Sequence, residues 1–449
     1  MEKLKGREQW GSKLAFILAA AGSAVGLGNI WRFPYLAGDN GGAAFLIIYL
    51  ACILIIGYPL MNTEFAIGRA TGKNPIGAFK ALAPNTPWWL VGALAVLAPF
   101  VILSYYSVVA GWATAYIFKS LAGLAPTTDY TNVFVSHITS VWEPIIWHFI
   151  FMGITIAIIA AGVVSGLQKV AKALMPLLFL ILVVLAVRGI TLPGSGEGLS
   201  FYLKPDFSKV DGGTFLDAVG QAFFSLSLGM GAMITYGSYL SKKESITSST
   251  GWVVGLDTLA AFLAGFAIFP AVFVYGFSPG SGAGLAFMTL PAVFANMPAG
   301  SFFGALFFVL LSIAALTSAM SLLEVVAAWV IDEKGWSRKK AALIIGTVVF
   351  VFGLPSTLGY SVMSGIKPLG LDLLDFYDFV ANAIFLPLGG ILTAVFAAFI
   401  WKTKNALQEI NEPKGSFSFG NWYGTLVGVI IPVVVGIIMI AGLYKQFVG

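Results

Sequence analysis

Apolar residues run through this chain in blocks of about twenty or more, the length needed to cross the hydrocarbon of a bilayer, and polar residues gather in the gaps between them. Eleven such blocks fall at roughly 13–36, 42–68, 88–121, 143–163, 168–190, 214–240, 251–277, 300–331, 340–358, 376–401 and 421–446. The pattern predicts an all-α polytopic membrane protein. Two blocks are irregular. The first contains Gly22-Ser23-Ala24-Val25-Gly26-Leu27-Gly28-Asn29-Ile30-Trp31-Arg32-Phe33-Pro34, and the sixth reads Gln221-Ala222-Phe223-Phe224-Ser225-Leu226-Ser227-Leu228-Gly229-Met230-Gly231. Glycine costs a helix interior about 1 kcal/mol relative to alanine, so these clusters predict helices interrupted halfway across. Unwound backbone inside a bilayer is tolerated only where it is buried in protein or lines a watery cavity. Two interrupted spans, each opening a group of five, point to a transporter built from two inverted repeats with its site between the breaks. The repeats would cover about 13–190 and 214–401, with an extra helix at about 421–446.

Composition supports this and excludes much else. Of the 449 residues, 58% are hydrophobic and only 10% charged, against about 25% charged in a soluble domain. The formal charge of +5 does not call for nucleic acid, because 18 of the 25 basic residues, among them Arg7, Lys13, Arg69, Lys73, Lys242 and Arg338, fall on one side of an eleven-span topology. By the positive-inside rule that side is cytoplasmic. The amino terminus then lies inside and the carboxyl terminus outside, in a cell membrane. The basic start followed by apolar residues imitates a secretory signal; apolar character running on to Leu36 favours a retained first span. The lone Cys52 permits no intrachain disulfide, and His137 and His148 have no zinc-site spacing with it. No His-Glu-x-x-His or comparable protease motif is present, so the chain reads as a carrier and not an enzyme. The apolar stretch around Gly280 to Pro298 predicts a short helical hairpin over the outer face. Gly166 and Pro176 predict a weakened cytoplasmic half of segment 5.

Ionisable groups within spans are costly and usually functional. Arg32 and Asp375 border the same outer vestibule, and Glu64 and Glu324 read as structural pairing groups. Asp257 is the only acid deep in segment 7 and demands a cation or a proton. Thr317 and Ser318 in segment 8 offer the hydroxyl oxygens that hard cations favour.

These motifs, with Gly41-Gly42-Ala43-Ala44-Phe45, Tyr105-Tyr106 and Asp372-Leu373-Leu374-Asp375-Phe376, resemble the neurotransmitter/sodium symporter family over nearly the whole chain. The resemblance implies a sodium-coupled importer of amino acids with two sodium sites. One would use Gly22, Val25, Ala314, Thr317 and Ser318. The other would use Ala24, Asn29 and Ser225, together with the substrate carboxylate. Substrate would lie against Ala24, Gly26, Gly28, Tyr106, Phe224, Ser227 and Ser318, with Ile102, Met230, Ala319 and Leu322 forming the apolar part. Arg32 with Asp375 would close the outer side. Arg7 with Asp332, beside Trp10, Ser238 and Tyr239, would close the inner one. Gly26 stands where monoamine carriers have an Asp, which implies a substrate bringing its own carboxylate, a large neutral amino acid. Asp257 stands where chloride-dependent relatives have Asn, and Ala261 where they have Ser, which implies that no chloride is required. A proton-driven carrier with Asp257 as relay is the alternative. The resemblance leaves the oligomer open, since the family's twelfth helix is absent.

Overall fold

The computed structural model describes residues 8–279, 282–415 and 417–448. Every regular element among them is helical. We number the spans α1 to α11. The first is broken into α1a (Lys13–Ala24) and α1b (Gly28–Asp39), which meet at 49°. It is followed by α2 (Ala43–Thr71), α3 (Trp89–Leu121), α4 (Trp142–Ala161) and α5 (Val163–Ile190). The sixth is again two pieces, α6a (Gly212–Ser225) and α6b (Ala232–Gly237). Then come α7 (Ile246–Val274), α8 (Gly300–Lys334), α9 (Arg338–Leu358), α10 (Leu373–Ile400) and α11 (Trp422–Tyr444). Among the described residues, nine are continuous helices long and apolar enough to cross a membrane, and the bent α1 pair makes a tenth. The sixth block does not reach that length because its centre is unwound, as its glycines predict.

The long helices are not uniformly wound. Six stretches form wider π-type turns, and four of them, Gly28–Arg32, Ile53–Gly57, Val380–Phe385 and Leu426–Ile430, end two residues before a proline. Proline lacks an N–H and its ring clashes with the carbonyl four residues back. A wider turn at that place carries the clash without ending the span.

Side chains sort by solvent. Leu54, Ile55, Phe149, Val187 and Ile437 are exposed on the outside, as lipid-facing groups are, while Ser104, Asn29, Thr235 and Asp257 are buried. The deepest packing joins α3 to α8, with α4 and α9 beside them, and α7 lies along α5. Between α7 and α8 the chain forms Gly282–Leu285 and Thr289–Ala295, the expected short helical pair. Phe287 between them stacks with Phe134 and packs its ring against Trp31, Trp112 and Tyr116. Segment 5 meets expectation around Gly166 and departs from it at Pro176. It is loosened at Val163–Gln168, after Gly162 at φ 112°, and runs as regular helix through Pro176.

A cavity between two broken helices

The first break falls at Val25 and Gly26, where α1a ends with Val25 in extended geometry (ψ 96°). The second covers 226–231, where Ser227, Gly229 and Gly231 take φ of 53°, 75° and 69°. Gly229 is required twice over. A Cβ there would meet the Leu386 carbonyl oxygen of α10 at 2.3 Å, and φ is in the region that side chains disfavour. Its amide donates to Glu64 Oε1 of α2 at 2.8 Å. Glu64 therefore pairs across helices and holds the unwound turn, the structural pairing role expected of it, with a partner that the sequence did not name.

The breaks are tied together through Ser23. Its carbonyl accepts from Ser227 Oγ and from Ser318 Oγ, each at 3.0 Å, and its hydroxyl donates to Ser321 Oγ at 2.7 Å. Three helices thus share one residue. On the other side, Gln221 Nε2 donates to the Gly28 carbonyl at 2.7 Å.

Between the breaks lies a small, closed-down cavity lined by Ser23, Ala24, Gly26, Gly28, Ile102, Tyr106, Phe224, Ser227, Met230, Ser318 and Leu322. Every residue assigned above to substrate is there except Ala319, which is buried in packing. Ser23 was not singled out from sequence, because serine in a membrane helix most often bonds its own backbone. One end is polar: Tyr106 Oη accepts the Leu27 amide at 3.2 Å, and the Gly26 amide donates to Asn29 Oδ1 at 3.1 Å. The other is apolar, with Ile102, Met230 and Leu322. A Cβ on Gly26 would stand 2.4 Å from Ser318 Oγ and 2.9 Å from Tyr106 Oη, so only glycine leaves this end open.

Two groups of oxygen donors flank the cavity. In one, Ser318 Oγ reaches the Gly22 carbonyl at 3.5 Å and Thr317 Oγ1 bonds the Ala314 carbonyl at 3.0 Å. Val25, in the same break, completes the set named from sequence. In the other, Asn29 Nδ2 donates to Ser225 Oγ at 3.2 Å, and Ala24 ends α1a at the break. Asp257 lies behind this second group, fully buried. Its carboxylate accepts from Asn29 Nδ2 at 2.8 Å, from Ser225 Oγ at 2.8 Å to each oxygen, and from Tyr49 Oη at 3.4 Å. Tyr49 was invisible as a partner in the sequence, since it is brought to Asp257 only by the α2–α7 packing. Among the described residues no cluster of three or more His, Cys, Asp or Glu could hold a metal ion. The donors here are neutral oxygens with one carboxylate nearby, chemistry suited to alkali cations and not to transition metals.

The two ends differ. At the Trp10 end the cavity is sealed: Trp10 Nε1 donates to the Tyr236 carbonyl at 3.0 Å, its amide to the Tyr239 carbonyl at 3.2 Å, and its ring packs on Tyr236 and Tyr239. Tyr239 Oη donates to Glu324 Oε1 at 2.7 Å, and Glu324 also takes Arg338 Nη1 at 2.7 Å. Asp332 accepts from the Asn74 amide and side chain at 3.0 and 3.1 Å. Arg7, expected to pair with Asp332, lies outside the described residues. At the other end the Arg32 guanidinium sits 5.1 Å from the Phe224 ring centroid. No ion pair joins it to Asp375. Asp375 is exposed in the first turn of α10, its amide capped by Asp372 Oδ1 at 2.9 Å, while Arg32 lies deeper.

Comparison with known proteins agrees with this architecture. A Bacillus subtilis protein described as the uncharacterized sodium-dependent transporter YhdH is 39% identical over 96% of this chain and 97% of its own length. The human sodium- and chloride-dependent taurine transporter is 29% identical over 95% of the chain and 76% of its own length. The crystal structure of MhsT in complex with L-phenylalanine matches with a TM-score of 0.90 and 45% identity, covering 97% of this chain and all of MhsT. The sequence model of the sodium:neurotransmitter symporter family matches residues 7–144 and 135–447; the chain belongs to that family, and is a sodium-dependent membrane transporter, not an enzyme.

Proposed function

We propose that the protein imports neutral, large hydrophobic or aromatic L-amino acids together with sodium, by alternating access. The observation that carries this reading is the cavity between the two breaks, polar at its Gly26–Tyr106 end and apolar at its Met230–Leu322 end. A free amino acid has the same two-ended character. The MhsT structure, similar over the full chain, holds L-phenylalanine, which supports the choice of class.

In this reading the substrate carboxylate faces the amides of 26–28 at the start of α1b, where the helix dipole favours negative charge, and the Tyr106 hydroxyl. The ammonium faces carbonyls near Ala24, Phe224 and Ser227. One sodium binds Gly22, Val25, Ala314, Thr317 and Ser318, tying α1a to α8. The other binds Ala24, Asn29, Ser225 and the substrate carboxylate. Sharing that carboxylate makes ion and solute raise each other's affinity by one common factor. Asp257 supplies the fixed negative charge beside the second site, so chloride is not needed. Met230, an unbranched side chain between two glycines, re-packs around ligands of different size.

Alternation would move α1, α2, α6 and α7 against α3, α4, α8 and α9, the two halves of about 13–190 and 214–401 being the inverted repeats. The Trp10 end is cytoplasmic on the positive-inside argument, closed here by Trp10, Tyr236 and Tyr239; the family resemblance would add a pair of Arg7 with Asp332. Phe224 and Tyr106 form the outer lid. The deciding experiment is reconstitution in liposomes with an imposed sodium gradient, screening the twenty amino acids with chloride or gluconate. Sodium-driven uptake of phenylalanine, leucine or tryptophan without chloride is expected. Uptake that ignores sodium and follows a pH gradient would refute the reading.

A further inference from the structure

α2 and α6b touch backbone to backbone. A Cβ on Gly68 would collide with the Ile234 carbonyl, and one on Gly237 would come within 2.6 Å of the Phe65 carbonyl oxygen. Arg69 follows Gly68 in the last turn of α2, where the helix dipole favours a cation. Its side chain is only 1% exposed, and each of its three nitrogens has a partner. Nε donates to Glu409 Oε1 at 2.7 Å and Nη1 to the Glu244 carbonyl at 2.6 Å, while Nη2 donates to the carbonyls of Glu409 and Glu412. Glu244 lies in the connection from α6b to α7. Glu409 lies on a short linker helix, Thr403–Asn411, between α10 and α11, and Glu412 just beyond it. Arginine presents its donors in a rigid planar fork, so three segments distant in sequence are held at fixed angles around one buried cation.

Other contacts fasten the same joint. Lys242 Nζ reaches both Glu409 oxygens at 2.7 Å, and Thr247 Oγ1 of α7 donates to the Phe417 carbonyl at 2.8 Å. Thr63 of α2 shares a hydrogen bond of 2.5 Å with Tyr423 Oη of α11. The linker helix packs on α2 and α7. Nearer its outer end, α10 reaches α3 through Asn382 Nδ2 on Tyr105 Oη at 3.2 Å.

We propose that Arg69 is a positioning residue for transport, fastening the α10–α11 linker and α11 to the moving half so that they travel with α2, α6 and α7. This rests on the alternation proposed above, in which α10 and α11 have no assigned half. α10, reaching α3 at one end and leading into the linker at the other, then bridges the two halves.

Spin labels introduced in pairs by Gln408→Cys, Lys243→Cys and Lys339→Cys, all exposed positions, in a Cys52→Ala background, measure the linker against the moving half and against α9. Distances are read by double electron–electron resonance in proteoliposomes. On replacing sodium with choline, the Lys243–Lys339 and Gln408–Lys339 distances should shift together while Gln408–Lys243 stays fixed. A Gln408–Lys339 distance that holds while Lys243–Lys339 shifts puts the linker with the static half and overturns the proposal alone. If Lys243–Lys339 does not shift, the alternation reading falls and the proposal with it. Arg69→Gln should broaden the Gln408–Lys243 distribution and abolish the shift of Gln408–Lys339; Arg69→Lys, which keeps a charge facing Glu409, should restore part of it. Arg69→Gln distances equal to the parent's overturn the role of Arg69. Where Arg69→Gln fails to reach the membrane, Glu409→Gln, which removes the ion pairs to Arg69 and Lys242, is read in the same way.

Discussion

Asp257→Asn probes the site most sharply. The carboxylate accepts two contacts at 2.8 Å from Asn29 and Ser225, and a longer one from Tyr49. A hydrogen bond to a charged group contributes about 1.5–3 kcal/mol and a neutral one about 0.5–1.5. Removing the charge therefore costs roughly 1–1.5 kcal/mol for each of the two short contacts, about 2–3 kcal/mol together. The amide also offers one acceptor where the acid offered two, so one of the donors must turn away. Asn29 and Ser225 are the groups proposed above for the second sodium, and Asp257 accepts a hydrogen from each. The whole loss would appear as weaker sodium binding, roughly 30- to 150-fold at 1.4 kcal/mol per decade. The assay is the sodium dependence of amino-acid uptake in proteoliposomes, in chloride and in gluconate, with thermal unfolding as a check on folding. Half-saturation should shift to higher sodium in gluconate and recover in part in chloride, an anion filling the place of the lost carboxylate. Identical sodium dependence and rate in both salts would refute the reasoning.

Other substitutions test separate parts. Tyr106→Phe removes the hydroxyl that receives the Leu27 amide and should weaken substrate binding about tenfold, read by isothermal titration in saturating sodium. Gly229→Ala places a Cβ 2.3 Å from the Leu386 carbonyl at φ 75°; the left-handed backbone alone costs about 1–2 kcal/mol, and a lowered melting temperature is the expected reading. Thr317→Val deletes a hydroxyl bonded at 3.0 Å to the Ala314 carbonyl and should reduce the number of sodium ions carried per substrate, measured from reversal potentials. Trp10→Ala removes the indole plug over Tyr236 and Tyr239 and should speed labelling of a cavity cysteine by thiol reagent trapped on the inner side.

Much of this was legible before the structure, for a physical reason. Glycines at 22, 26, 28, 229 and 231 are expensive in a membrane helix, so their clustering betrays the breaks, and a break names its own neighbours. The resemblance to the symporter family, and not the breaks themselves, then assigned nearly all of the cavity lining, including Ile102, Tyr106, Ser318 and Leu322 on α3 and α8. Contacts that depend on how separate helices pack were not legible: Tyr49 on Asp257, Glu64 on the Gly229 amide, Gln221 on the Gly28 carbonyl. Each joins residues more than 160 positions apart and leaves no local periodicity. The three aspartates at 372, 375 and 378 look equivalent in sequence and differ only in depth along α10.

Ser23 has a consequence for how tightly ion and solute flows are locked. Its carbonyl holds Ser227 of the other interruption and Ser318 of the long helix facing it, so the first interrupted span cannot shift alone without giving up two hydroxyl contacts. At about 0.5–1.5 kcal/mol each, a half-shifted carrier is disfavoured by a factor of roughly 5 to 150. Such a half-shifted form is the one through which sodium could slip without cargo. The serine knot would thus act as an anti-slippage device, keeping the energy stored in the gradient from being dissipated.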